Sequence, residues 1–162
     1  MARQAGNGFN LDGYLRKIGC QSRPGVSQAG LFSLHKAQFF SLPFENLDIQ
    51  LGRDISLSEV DLVDKLVLRK RGGYCFELNG ILLLALKALG FQARPVLARV
   101  HLGGTPSART HLIACVCLGA DQWMVDAGFG AGGPRVPLLL QDQAVTRIGS
   151  FAYRYQRDSL WG

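Results

Sequence analysis

The sequence predicts an α+β fold: a helical bundle over residues 1–90 that carries a cysteine at a helix start, then an antiparallel, β-barrel-like domain over residues 91–162. Three observations carry that prediction. Up to Gly90 the apolar residues recur at helical spacing, and beyond it they come in short extended runs. Gly119-Ala120 separates two of those runs by two residues with glycine first, as a type II′ hairpin requires. With 162 residues and 48% hydrophobic composition, the chain can build one or two small cores.

In the first half, Asn10 is a good N-cap for a helix whose stripe is Leu11, Tyr14, Leu15 and Ile18, closed by Gly19. A second helix is expected from near Ser27, with Leu31, Leu34 and Gln38 on one face and Phe32 and Phe39 on another. It must stop before Pro43. His35 falls inside it and reads as a structural histidine. The segment Pro43-Phe44-Glu45-Asn46-Leu47-Asp48 is a compact turn, in which Glu45 is either solvated or paired with Arg71. Ser58 and Asp61 resemble a capping box for a third helix, striped by Val60, Val63 and Val67 with Leu62 and Leu66 beside them. Arg69-Lys70-Arg71 reads as its last turn and Gly72-Gly73 as its stop.

Cys75 then stands at the start of an apolar helix through Leu78, Ile81, Leu82, Ala85, Leu86 and Leu89, with Gly90 suited to end it. Unpaired N–H groups and the positive dipole end favour a thiolate at such a position. A small residue filling a tight helix start is the plainer account.

In the second half, residues 91–100 contain Pro95 in mid-run and therefore read as an edge strand or a bulge. Residues 103–109 read as a loop, and 110–118 as a strand too apolar on both faces to be exposed. Cys115 and Cys117 share one side of it and read as small core residues rather than metal ligands, so no metal is expected. The turn at Gly119-Ala120 pairs residues whose numbers sum to 239, which makes His111 and Asp126 diagonal neighbours on one face, within side-chain reach. A strand aspartate following Trp123-Met124-Val125 is costly to bury alone, and His111 is its obvious partner. Gly128-Phe129-Gly130-Ala131-Gly132-Gly133-Pro134 reads either as a flexible loop or as a close backbone approach to a ligand. Pro134 and the lack of a helical stripe exclude a dinucleotide turn. Short strands are expected within 136–140, 144–148 and 151–155.

Composition excludes several functional classes. The net charge of +6 favours an anionic ligand, but no zinc-finger spacing or nucleic-acid-binding aromatic motif accompanies it. There is no apolar run of membrane-spanning length and no apolar leader at the N-terminus. The four cysteines lack the spacing of a disulfide scaffold, so a reducing, cytoplasmic setting is expected.

Cysteine at a helix start, histidine on a strand and aspartate beside it compose a Cys-His-Asp relay. The combination resembles the arylamine N-acetyltransferases. Pro43-Phe44-Glu45-Asn46-Leu47, the stretch from Arg71-Gly72-Gly73-Tyr74-Cys75 through Phe76-Glu77-Leu78-Asn79, Thr110-His111, and Val125-Asp126-Ala127-Gly128-Phe129-Gly130 all look like that family's signatures, in its order and spacing. The resemblance implies Cys75 as nucleophile, His111 as base and Asp126 as orienting carboxylate. It implies a structural ion pair of Arg71 with Glu45, and a substrate and cofactor cleft lined by Tyr74, Gly128, Phe129 and Gly130. Acetyl-CoA would be the acyl donor and an arylamine or arylhydrazine the acceptor. A related amide synthase, a cysteine thioester hydrolase and an inactive truncated domain are the rival readings. Family members add a third, α/β lid domain, so the chain is expected to stop before it and to self-associate through the surface left bare.

Overall fold

Asn10 does cap the first helix: its side chain accepts from Gly13 N at 2.9 Å, and α1 runs Leu11–Lys17. The computed structural model describes residues 9–101 and 108–159. The stretch read against a leader, most of the predicted 103–109 loop and the last three residues lie outside the described residues. Ser27 caps α2 (Gln28–Ser41) by accepting from Gly30 N, and Leu42 ends it in extended backbone ahead of Pro43. A short α3 (Leu47–Gln50) follows.

The third predicted helix differs from expectation. α4 (Glu59–Leu62) begins at the Ser58 cap but passes into a π-helical stretch, Val63–Leu68, marked by a bond from Arg69 N to the Asp64 carbonyl. The wider turn sends Leu62, Lys65 and Leu66 inward and leaves Val60 76% exposed, so the valine stripe is not the buried face. Nor do the glycines stop this helix. It ends at Leu68, and Lys70 turns the chain with φ of +55°. Gly72 and Gly73 serve close approach instead. A Cβ at Gly72 would sit 2.2 Å from the Pro43 carbonyl oxygen, and Gly73 exchanges backbone bonds with Pro43 and Glu45.

α5 (Cys75–Ala88) starts at the cysteine and ends before Gly90, whose φ is +92°. Four antiparallel strands follow in the order β1 (Gln92–Ala98), β2 (His111–Leu118), β3 (Asp121–Val125) and β4 (Leu138–Leu139). Pro95 lies on the edge strand β1, and the β2–β3 register pairs Leu118 with Asp121 and Ala114 with Val125, as the turn predicts. β5 (Val145–Ile148) and β6 (Phe151–Arg154) form a separate hairpin. Among the described residues the sheet is therefore open rather than a closed barrel. Its two-residue last strand is too short to carry the curvature round.

One hydrophobic cluster runs from Leu11 and Leu31 through Leu66, Leu82 and Leu86 to Ala114, Val116 and Val125. It seats α5 directly on the sheet. No helix among the described residues is long and apolar enough to cross a membrane, and the four cysteines are free.

Candidate active site

Three elements converge at one end of this core. Cys75 is the first residue of α5, His111 the first of β2, and Asp126 lies one residue beyond β3. His111 Nε2 is 2.7 Å from Asp126 Oδ2, closer than the diagonal register alone requires. Cys75 lies beside His111, and its Sγ is 3.8 Å from the Thr110 carbonyl oxygen. Exposure falls from Cys75 (9%) to His111 (6%) to Asp126 (3%), so the thiol is outermost and the carboxylate deepest. Burial opposes the charged imidazole. The bond to Asp126, the Asp126 charge and the neighbouring Cys75 outweigh it, and His111 rises from the usual 6.5 to about 9.

Asp126 spends its other oxygen on the scaffold. Oδ1 accepts from Asn79 Nδ2 at 2.8 Å and from Gly128 N at 2.9 Å, leaving Oδ2 for His111. Asn79 also donates to the Leu112 carbonyl and accepts from Ala127 N. It stands one helical turn after Cys75, so a single side chain ties the cysteine's helix to β2 and to the aspartate. The sequence alone assigns Asn79 no role, although a lone amide four residues after the cysteine on an apolar helix is the available signal.

The start of α5 is braced by charge. Arg71 pairs with Glu45 at 2.6 Å and with Asp48 at 3.0 Å. Lys65, buried by the π-helical stretch, reaches Glu77 at 2.7 Å and Asp48 at 2.9 Å. Glu77 in turn accepts from Tyr74 N at 3.1 Å, next to Cys75. The lysine and arginine bonds hold Asp48 well below the usual carboxylate range. Sequence reasoning anticipated Glu45 with Arg71 but missed Lys65, Asp48 and Glu77, because a lysine beside leucines on an amphipathic helix reads as a surface residue.

Of the residues assigned to a cleft, the structure gathers only part. A cleft of about 300 Å³ lies against His111 and Asp126, walled by Ile113, Met124, Phe129 and Pro134, with Arg99 and His101 beside it. Phe129 meets His111 edge-on at 5.2 Å. Gly130 lines a neighbouring apolar cleft with Phe39 and Phe44. Gly128 packs against α5, where a Cβ would come within 2.7 Å of Asn79 Nδ2 and 3.1 Å of Cys75 Cα. Tyr74 stacks on Phe76. Cys115 lies buried, burial pushes its thiol pKa up, and no metal-holding cluster of His, Cys, Asp or Glu occurs among the described residues.

A family profile described as N-acetyltransferase matches residues 29–161. The chain is 40% identical over 154 residues to an arylamine N-acetyltransferase / N-hydroxyarylamine O-acetyltransferase of Salmonella typhimurium, covering 93% of this chain and 55% of that protein. It is 37% identical over 146 residues to an arylamine N-acetyltransferase of Escherichia coli, covering 89% and 52%. Among solved structures it matches the Salmonella typhimurium arylamine N-acetyltransferase with a TM-score of 0.88 at 38% identity, over 92% of this chain and 55% of that one. The Mycobacterium marinum arylamine N-acetyltransferase in complex with CoA matches with a TM-score of 0.84 at 34% identity, over 93% and 58%. The chain spans about half the length of the curated relatives it matches.

Proposed function

The chain belongs to the arylamine N-acetyltransferase family, and from that premise we infer that it moves an acetyl group from acetyl-CoA through Cys75 to the nitrogen of an arylamine or arylhydrazine. The observation that carries this reading is a histidine bonded to Asp126 with a cysteine that opens an apolar helix beside it.

In the first half-reaction His111 takes the thiol proton, and the Cys75 sulfur attacks the thioester carbonyl carbon. As the tetrahedral adduct collapses, the carbon–sulfur bond to CoA breaks, and CoA leaves with a proton from the imidazolium. In the second half-reaction the amine nitrogen attacks the acetyl-cysteine carbonyl and gives its proton to His111. Cys75 then leaves as the thiolate that starts the next cycle. Asp126 holds the imidazole in one tautomer and balances its charge. The Cys75 amide, at the positive end of α5, is the candidate donor to the oxyanion.

The cleft beside His111 suits a small planar ring: Ile113, Met124, Phe129 and Pro134 give it apolar walls. Arg99 and His101 give one side a basic character that suits an anionic carrier such as CoA. A relative of this fold solved with CoA supports the same donor.

The test is a CoA-release assay on the 162-residue chain, with and without an aromatic hydrazine, alongside mass spectrometry of the Cys75 peptide. Release that depends on the hydrazine, with an acetyl adduct on Cys75 in its absence, is the expected result. Acetylation elsewhere on the chain, with Cys75 unmodified, would sink the assignment.

A further inference from the structure

The peptide that joins Asp126 to Ala127 is held at both of its polar ends. Its carbonyl oxygen lies 3.0 Å from His35 Nε2, and its N–H donates to Asn79 Oδ1 at 3.0 Å. His35 comes from α2 and Asp126 stands 91 residues later in the chain. A carbonyl can only accept, so Nε2 of His35 carries the proton, and in the neutral ring Nδ1 keeps a bare lone pair. That Nδ1 is buried and has no hydrogen-bond partner among the described residues. The whole side chain is sealed from solvent, with Phe39 stacked at 5.9 Å. A second proton would put an unmatched N–H and a charge into this site, and burial pushes the pKa of His35 down accordingly.

A leucine would fill such a place without a bare Nδ1 but would leave the Asp126 carbonyl without its donor. The imidazole is therefore accounted for by what its other nitrogen does. A shift of the main chain at this peptide would displace the Asp126 Cα and carry Oδ2 away from His111. Asn79 restrains that shift from α5 and His35 from α2. Gln38, one turn further along α2, donates to the Leu78 carbonyl at 2.8 Å and anchors the same helix to α5.

We propose that His35 is a positioning residue for the acyl-transfer reaction: its Nε2–H tautomer clamps the main chain of Asp126 and so aims the carboxylate at His111. The role in catalysis rests on the Cys75–His111–Asp126 reading, whereas the tautomer does not.

Long-range proton–nitrogen NMR of the nitrogen-15-labelled chain reads the tautomer directly and should find the His35 proton on Nε2. Two substitutions read the role. His35→Leu deletes the donor, and His35→Gln keeps an amide N–H near the place of Nε2–H. His35→Leu should slow iodoacetamide alkylation of Cys75 at neutral pH by about five- to ten-fold, the worth of one buried hydrogen bond. The His111 titration should move below about 9 in the same variant. His35→Gln should recover most of both changes, and thermal midpoints of the two variants should not account for the difference. A proton on Nδ1, wild-type behaviour in His35→Leu, or equal impairment of both variants at equal midpoints would each overturn the proposal. Should His35→Leu fail to fold, His35→Asn, whose shorter amide falls short of the carbonyl, replaces it. Failure of the triad reading is visible in the wild type alone: Cys75 would then alkylate no faster than an ordinary thiol, and the positioning role would fall with it.

Discussion

At the scale of single residues, the site depends on how Asp126 divides its oxygens. Oδ1 is engaged by Asn79 and Gly128, and Oδ2 faces His111. Asp126→Asn presents one oxygen and one amide to those partners, so it breaks either the scaffold bonds or the bond to His111. It also removes a carboxylate that raises His111 towards 9, leaving burial to act against the charged ring. The His111 titration, followed by imidazole NMR, should therefore drop towards or below 6.5, and acyl transfer should fall by at least a hundred-fold. An unshifted titration would mean that the two residues are not coupled. Cys75→Ser keeps the shape of the helix start but offers a hydroxyl far less ionised than a thiol, so turnover should vanish while the unfolding midpoint stays within a few degrees. Substantial CoA release by Cys75→Ser would assign the nucleophile elsewhere.

Individual elements differ in how far local patterns reach. Caps at Asn10 and Ser27, the glycine after α5 and the β2–β3 turn are short-range features, and each lies where its spacing indicates. The α4 segment does not obey its pattern. Three valines outline a regular amphipathic face, but the π-helical stretch rotates Lys65 inward, because there it meets the carboxylates of Glu77 and Asp48. Propensity differences of a few tenths of a kcal/mol per residue yield to such a contact. Breaking it should be severe. Lys65→Met leaves the buried Glu77 carboxylate beside the start of α5 without its cation, while Asp48 keeps Arg71, and a loss of about 3–5 kcal/mol in denaturant unfolding is expected. A change below about 1 kcal/mol would show that Arg71 alone supports this corner.

For the whole molecule, shifted groups on both sides set the pH of maximal stability. His111 has a folded-state pKa raised to about 9, so its contribution is complete below 6.5 and is lost as pH rises through about 9. Asp48 is depressed, so its contribution is present above 3.8 and is lost as the medium is acidified past that value. His35, whose pKa burial lowers, costs stability as pH falls below 6.5, so the unfolding midpoint should peak near that value, and His111→Gln should flatten the alkaline fall specifically; an alkaline limb unchanged in His111→Gln would assign it to other groups. What the sequence by itself determined was the local structure: the helix starts and stops near their caps, the hairpin register, and with it the approach of His111 to Asp126. These follow from short-range rules, because backbone bonds and side-chain periodicity repeat within a few residues. Only the tertiary structure decided that the sheet stays open among the described residues, that the paired glycines admit Pro43, and that His35, Asn79 and Asp126 share one peptide. Those three residues come from α2, α5 and the end of β3, and no spacing along the chain encodes their meeting. A buried polar group takes the partner that packing brings to it, and packing is a property of the whole core.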